Sequence, residues 1–276
     1  MANESLRHEQ YRHSEQFTRE VMAARTGQDT ARFLVPFLTP GMDLLDCGCG
    51  QGNITIDLAE LVAPGRVVGV DQRDGDLARA RELAAVRNVA NVTFQTASIY
   101  KLPFPDACFD AASAHHVLVH LADPVAALRE IRRVLRPGGI VGIVDATHDR
   151  TIRTPTNSLL ERWQELQVRA RLHNGGSPGF APTHRACLRA AGFARAETHA
   201  IIGGPHGADA AGTAVLTRQV ARSHLAILQE MVRPVAVAQG WAEVAELDAM
   251  GDALMAWGED PDACWMTPIC CSVGWA

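Results

Sequence analysis

No stretch of this chain is apolar for the roughly 18 residues that a membrane span requires, so no crossing helix is expected. Basic residues are not in excess either. The formal net charge is -5, with acids and bases interspersed, which argues against a nucleic-acid backbone as partner. The cysteines are odd in number, seven, and lack paired C-x-x-C spacing, so reduced thiols are expected, with no disulfide framework and no metal site. The opening residues, MANESLRHEQYRHSEQ, are polar and mixed in charge, unlike a secretory leader, which points to a cytoplasmic protein. No internal repeat, low-complexity tract or flexible linker divides the 276 residues, and 47% of them are hydrophobic, enough to bury a full core.

What is present is an alternation of strand and helix. Residues 1–40 read as a helical segment closed by the turn "LTPG". From Met42 come a strand "MDLLD", a helix "NITIDLAELV", a strand "RVVGVD" and an amphipathic helix "GDLARARELAAVRNV". "NVTFQTAS" and "FDAASAHH" follow as strands, then the helix "DPVAALREIRRVL", the breaker "RPGG" and the strand "IVGIVDA". Strands that alternate with helices predict an α/β fold, a doubly wound, mostly parallel Rossmann-like sheet. Later, residues 156–173 and 208–259 read as mostly helical, with strands at "FARAETHAIIGG" and "ACWMTPICCSVGWA". The organisation expected is one integrated domain: an N-terminal segment 1–40, a core 41–150, and at 151–276 a helical cover with the last two strands.

Within "LLDCGCGQGNITIDL", Gly48, Gly50 and Gly52 occupy three of five positions between strand and helix. Glycine is the costliest residue to order, so such a loop implies a sharp turn and a ligand brought close. Backbone N–H groups at the helix start would favour a phosphate or carboxylate, and Asp71, ending the second strand, can accept from a ribose diol. Either a dinucleotide or another adenosine ligand satisfies this much. A dinucleotide loop reads G-x-G-x-x-G, whereas here the pattern is D-x-G-x-G-x-G with Asn53 where its third glycine would fall.

The glycine loop, Asp71, "ASIYKLPF" after strand three, "FDAASAHH" and "VLRPGG" before strand five together resemble the class I S-adenosylmethionine-dependent methyltransferases. They are most similar to the small-molecule branch that includes the ubiquinone/menaquinone enzymes, and the ending "WGEDPDACWMTPICCSVGW" looks like that of bacterial and fungal metabolite methyltransferases. The resemblance implies S-adenosylmethionine as cofactor. It implies that Asp46 and the backbone of Gly48, Cys49 and Gly50 hold the methionine part, with Gln51 nearby. Asp71 would take the ribose hydroxyls, Gln72 would lie beside the adenine, and Ala97, Ser98 and Ile99 would border it; many relatives carry Asp at the place of Ser98. His115 would face the sulfonium through its backbone. Arg25 and Thr26, joined by Tyr11, would close over the carboxylate end.

Methyl transfer from a sulfonium is an in-line displacement, so alignment supplies most of the acceleration. A hydroxyl or activated-carbon acceptor also needs a base, and "AHHVLVH" offers His116 and His120, with His148 after strand five. Their bland reading is structural, His120 above all, because "HL-x-DP" is a turn. Asp145 is placed at the same rim, and Cys47 and Cys49 read as small buried residues rather than ligands. The nucleic-acid amino-methyltransferase signature, Asn/Asp-Pro-Pro-Tyr, has no counterpart here, since the chain contains no Pro-Pro pair; nor does it contain the Pro-Cys of cytosine-C5 enzymes. The partner expected is a small molecule, enclosed by a cover to which Trp163, Phe180, Trp241, Trp257 and Trp265 belong, with a second copy of the chain as a further partner. Two alternatives stay open: a methyltransferase fold that only binds or rearranges its ligand, and an NAD-dependent oxidoreductase.

Overall fold

The computed structural model describes residues 31–203 and 210–276. Five parallel strands form its centre: β1 (Leu44–Cys47), β2 (Val67–Asp71), β3 (Val92–Thr96), β4 (Phe109–His115) and β5 (Leu135–Ala146). They stand in the order β3-β2-β1-β4-β5, and β8 (Cys264–Trp275) continues the sheet antiparallel to β5. β6 (Ile152–Thr154) and β7 (Arg195–Gly203) both pair antiparallel with β8. The expected doubly wound, mostly parallel sheet is therefore present. The short β6 had no signal in the sequence, because three residues are too few to show alternation.

The crossover helices are α1 (Asn53–Val62), α2 (Asp74–Val86) and α3 (Pro124–Val134). α3 shows why its sequence stops and starts where it does. Pro124 occupies the first turn, where the missing N–H costs little, and Asp123 Oδ1 accepts from Ala126 N at 2.9 Å. Its buried face, Ala127, Leu128, Ile131 and Val134, packs into the core under β4 and β5. That face follows the i, i+3/i+4 spacing, so burial of a single stripe holds the helix to the sheet.

After β5 the chain builds the cover. α4 (Ser158–His173) is capped by Asn157, whose Oδ1 accepts from Leu160 N at 3.0 Å. α5 (His184–Ala190) returns the chain to β7, and α6 (Ala210–Ile227), α7 (Arg233–Ala238) and α8 (Val244–Gly258) complete the layer. Between α6 and α7 lies a π-turn, Leu228–Val232, just ahead of Pro234. Proline cannot donate to the α-ladder, and the wider turn absorbs the break. The cover has its own core, with Trp163, Leu166, Leu228, Val232, Leu247, Leu254, Trp257 and Trp265 fully or nearly fully buried. Among the described residues no helix is long and apolar enough to cross a membrane.

Two sequence expectations need correction here. Phe180 is not in the cover: it packs in the main core beneath the sheet. Trp241 sits at the cover's outer side, only partly buried, with the Arg169 guanidinium 4.0 Å from its ring. Of the N-terminal segment, residues 31–40 contain a short 3-10 turn, Val35–Phe37; the rest lies outside the described residues.

Candidate active site

In an open parallel sheet, ligands sit where neighbouring connections run to opposite sides, at the carboxyl ends of the strands. β1 lies between β2 and β4, so that point falls at the ends of β1 and β4. A cleft opens there, lined by Asp46, Gly48, Cys49, Gln51, Gly52, Asn53, Ile54 and His115.

The three glycines have left-handed backbones, with φ of +73°, +52° and +80° at Gly48, Gly50 and Gly52. That conformation explains why they are glycine. Gly52 is also hemmed in: a Cβ there would stand 2.8 Å from Ala80 Cβ and 2.9 Å from the Phe94 ring. The tight turn brings α1 against α2 and β3.

The expectation of a loop whose N–H groups face the ligand needs correction. Gly48 N and Cys49 N donate to Val70 O at 2.7 and 3.1 Å, and Gly52 N donates to Cys49 O at 3.0 Å. Gly50 N donates to Asp71 Oδ2 at 3.0 Å. The glycine turn thus spends these four donors inside the protein. What remains is the start of α1, which no side chain caps.

Two carboxylates flank this loop. Asp71 accepts from Gly50 N through one oxygen and from Arg73 N at 3.0 Å through the other, and its side chain stays partly exposed. A carboxylate offers about four lone-pair sites, so two remain for an outside donor. Asp46 is buried, and burial pushes its pKa up to about 6 against hydrogen bonds from Thr55 and Ser113 that lower it. Thr55 Oγ1 donates to Asp46 Oδ2 at 2.6 Å. Thr55 and Ser113 escaped the sequence reading. The only available signal was a hydroxyl in the first turn of α1 and another within an otherwise apolar β4.

Ala97 N donates to Asp71 O at 3.1 Å, tying the turn after β3 to the end of β2. The Ser98 hydroxyl accepts from Tyr100 N at 3.3 Å, while Ile99 is buried in the main core rather than open to a ligand. Gln72 is exposed next to Asp71, and Gln51 lines the cleft with its side-chain Nε2 buried and without a hydrogen-bond partner. Tyr11, Arg25 and Thr26 lie outside the described residues.

Of the histidines, His115 is the one that lines the cleft. The His116 ring stands edge-on to that of His115, with ring centroids 4.7 Å apart. His116 holds a left-handed φ of +54° while its N–H donates to Val144 O at 2.7 Å. A β-carbon residue in that region carries strain of order 1 kcal/mol or more, which is typical of residues held at a functional turn. His120 closes the 3-10 turn Leu118–His120, and His148 follows β5. One loop laces both together: Ser177 N donates to Val119 O and His148 N donates to Pro178 O, each at 2.8 Å.

Asp145 is not at the rim. It is fully buried within β5, where its Oδ2 pairs with His184 Nε2 at 3.1 Å and its Oδ1 accepts from Val119 N at 3.2 Å. His184 Nδ1 continues to Ser272 Oγ at 3.1 Å, which meets Thr198 Oγ1 at 2.8 Å. Asp145, His184 and Ser272 are buried and Thr198 is half-buried, and this Thr-Ser-His-Asp chain holds the turn that follows His116 and ends at His120. Burial raises the Asp145 pKa against the opposing pull of His184.

A family model described as "Methyltransferase domain" matches residues 38–176. An uncharacterized methyltransferase of Schizosaccharomyces pombe is 35% identical over 176 residues, covering 62% of each chain. A 2-phytyl-1,4-naphtoquinone methyltransferase of Synechococcus elongatus is 34% identical over 134 residues, 47% of this chain and 54% of that one. The chain thus spans little more than half to three-fifths of these relatives. Among solved structures, the [4+2]-cyclase SpnF has the same fold, with a TM-score of 0.54 at 23% identity over 91% of this chain and 84% of that one.

Proposed function

The chain belongs to the methyltransferase-domain family, within the class I S-adenosylmethionine-dependent enzymes, and from that premise we propose that it methylates a small-molecule acceptor, a secondary metabolite or quinone-like compound. The observation that carries the reading is the junction of three left-handed glycines with two carboxylates, Asp46 and Asp71, at the ends of β1 and β2.

The donor set fits the cofactor part by part. A methionine ammonium needs an acceptor, and Asp46, which lines the cleft, would supply one. The methionine carboxylate needs donors, and the uncapped start of α1 supplies those. The ribose diol meets the two open lone-pair sites of Asp71. When bound, S-adenosylmethionine supplies a methyl group already activated for in-line displacement.

The protein's own contribution is then alignment, exclusion of water and removal of the acceptor's proton. Well-oriented reactants lower a barrier by about 7–11 kcal/mol. His116 is the proposed base, set beside the cleft by its bond to Val144 and with His115 against its ring; His120 and His148 are the alternates on the same rim.

The quinone-like acceptor follows the cyanobacterial relative's name and is a proposal for this chain. The fold alone does not decide the reaction, since a cyclase shares it. Incubation with methyl-deuterated S-adenosylmethionine and a panel of phenols and hydroquinones, read by mass spectrometry, distinguishes the outcomes. A product heavier by one labelled methyl supports transfer. A product of unchanged mass and altered structure would replace this reading with rearrangement.

A further inference from the structure

Between Glu165 and Glu197 the chain carries no acid at all, yet Arg169, Arg171, Arg185, Arg189 and Arg195 fall in that stretch. Two of them, Arg185 and Arg189, stand four apart on α5 and share one face of it. On α3, Arg129 and Arg132 stand three apart and likewise share a face. All four residues are exposed. The fold brings the two helices side by side. Arg129 Nη2 donates to Ala190 O at 3.3 Å, and a Cβ at Gly192, just past α5, would stand 3.5 Å from Arg132 Nε.

Elsewhere the fold sets arginines against carboxylates. One residue on from Arg132, Arg133 pairs with Glu130 and Asp106, and Arg136 pairs with Asp110 and Asp43. Arg87, Arg162, Arg218 and Arg233 are paired as well. Among the described residues, Arg129, Arg132, Arg185 and Arg189 meet no carboxylate. Like charges three or four apart oppose the helix that carries them, so nothing inside the fold favours this arrangement.

The positive charge is local. The chain as a whole carries -5, and its last 43 residues hold seven acids and no base. A long polyanion such as a nucleic acid, extending past the four arginines, gains nothing from the remainder of an acidic protein. A bilayer surface holds a protein by inserted apolar side chains together with bases, and α3 and α5 carry no exposed large apolar residue. Neighbouring packed helices lie about 8–10 Å apart, and each arginine pair spans about 4.5–6 Å of helix axis. Such a patch is about as wide as one helix of a partner. A compact surface that bears carboxylates matches it in both size and sign.

We propose that the α3–α5 face docks a second protein through an acidic helix, with Arg129, Arg132, Arg185 and Arg189 as its contacts. The planar fork of a guanidinium takes a carboxylate with two parallel hydrogen bonds, and arginine is enriched at protein interfaces. Exposed charges of this kind steer encounter, so the complex forms quickly and weakens with salt. None of the four arginines lines the cleft that holds Asp46 and His115. Docking there requires nothing of the cofactor or the acceptor.

Fluorescence anisotropy with labelled poly-L-glutamate as the probe tests this. The wild type is expected to bind it at about 50 mM salt and to weaken by about tenfold or more at about 200 mM. Arg129→Glu with Arg132→Glu, and Arg185→Glu with Arg189→Glu, should each weaken binding by about tenfold or more. Arg32→Glu with Arg222→Glu, which changes the net charge equally at exposed residues elsewhere, should leave it within about twofold. Thermal midpoints report whether each variant is folded. Should a reversed pair fail to fold, Arg129→Gln with Arg132→Gln, or Arg185→Gln with Arg189→Gln, must show a loss of the same sign. No binding by the wild type, undiminished binding in either arginine pair, or an equal loss in the Arg32–Arg222 control overturns the proposal. Tighter binding, charge for charge, of a duplex oligonucleotide or of phosphatidylserine vesicles overturns it too, and gives the face to a nucleic acid or a membrane.

Discussion

The Gly50 amide donates to the Asp71 carboxylate at 3.0 Å, so the glycine turn after β1 is fastened to the end of β2 before any ligand arrives. Asp71 thereby shapes the loop with one lone pair and keeps others for a diol. Asp71→Ala should weaken S-adenosylhomocysteine by about 2–4 kcal/mol, roughly 30- to 1000-fold, because it removes both the diol acceptor and the brace. Asp71→Asn, which keeps one acceptor oxygen, should fall between. Calorimetric Kd values for the pair check this, and equal affinity for all three proteins would separate Asp71 from the cofactor.

Asp46 gives cofactor binding a pH dependence of definite sign. Its folded-state pKa is raised from 3.8 to about 6, with burial as the main cause. Between those values the unfolded chain is ionised while the folded one holds the proton, so this group's effect on stability becomes less favourable as pH rises through that window. Binding runs the other way. Only the ionised form attracts the cofactor's ammonium, so affinity should fall below pH 6, by up to about tenfold per pH unit. Titrations at pH 5, 6 and 7 measure it, and Asp46→Asn should flatten the profile.

Gly52→Ala should destabilise the fold by about 2–4 kcal/mol, combining a left-handed backbone with overlap against Ala80 and Phe94. Denaturant midpoints report it. A change below about 0.5 kcal/mol would mean that the turn yields more easily than its packing implies.

His184→Ala should cost about 3–5 kcal/mol, since it leaves Asp145 buried without its partner. Turnover should fall as well, because Asp145 holds the Val119 amide in the turn that follows His116 and ends at His120. His116→Ala, in contrast, should lower turnover with cofactor affinity nearly intact. A parallel loss of both would make His116 a folding or cofactor residue.

Much of this was legible in the sequence because it is local. Alternating strand and helix signals gave the parallel sheet, and the spacing of Gly48, Gly50 and Gly52 before α1 separated this loop from a dinucleotide one. What escaped depends on distant partners. Nothing around His184 points to Asp145, 39 residues away, or to Ser272, 88 residues away. The direction of the loop's N–H groups is set by β2, which no pattern within the loop reveals. Arg153 reads as an ordinary exposed arginine until β6 pairs with β8 and buries it beneath the cover.

The most direct measurement is calorimetric titration of the purified protein with S-adenosylhomocysteine, with NAD titrated in parallel. Micromolar binding of S-adenosylhomocysteine and silence from NAD is the predicted result. Binding of NAD, with no heat from S-adenosylhomocysteine, would contradict the assignment of the glycine turn, Asp46 and Asp71 to a methyl donor.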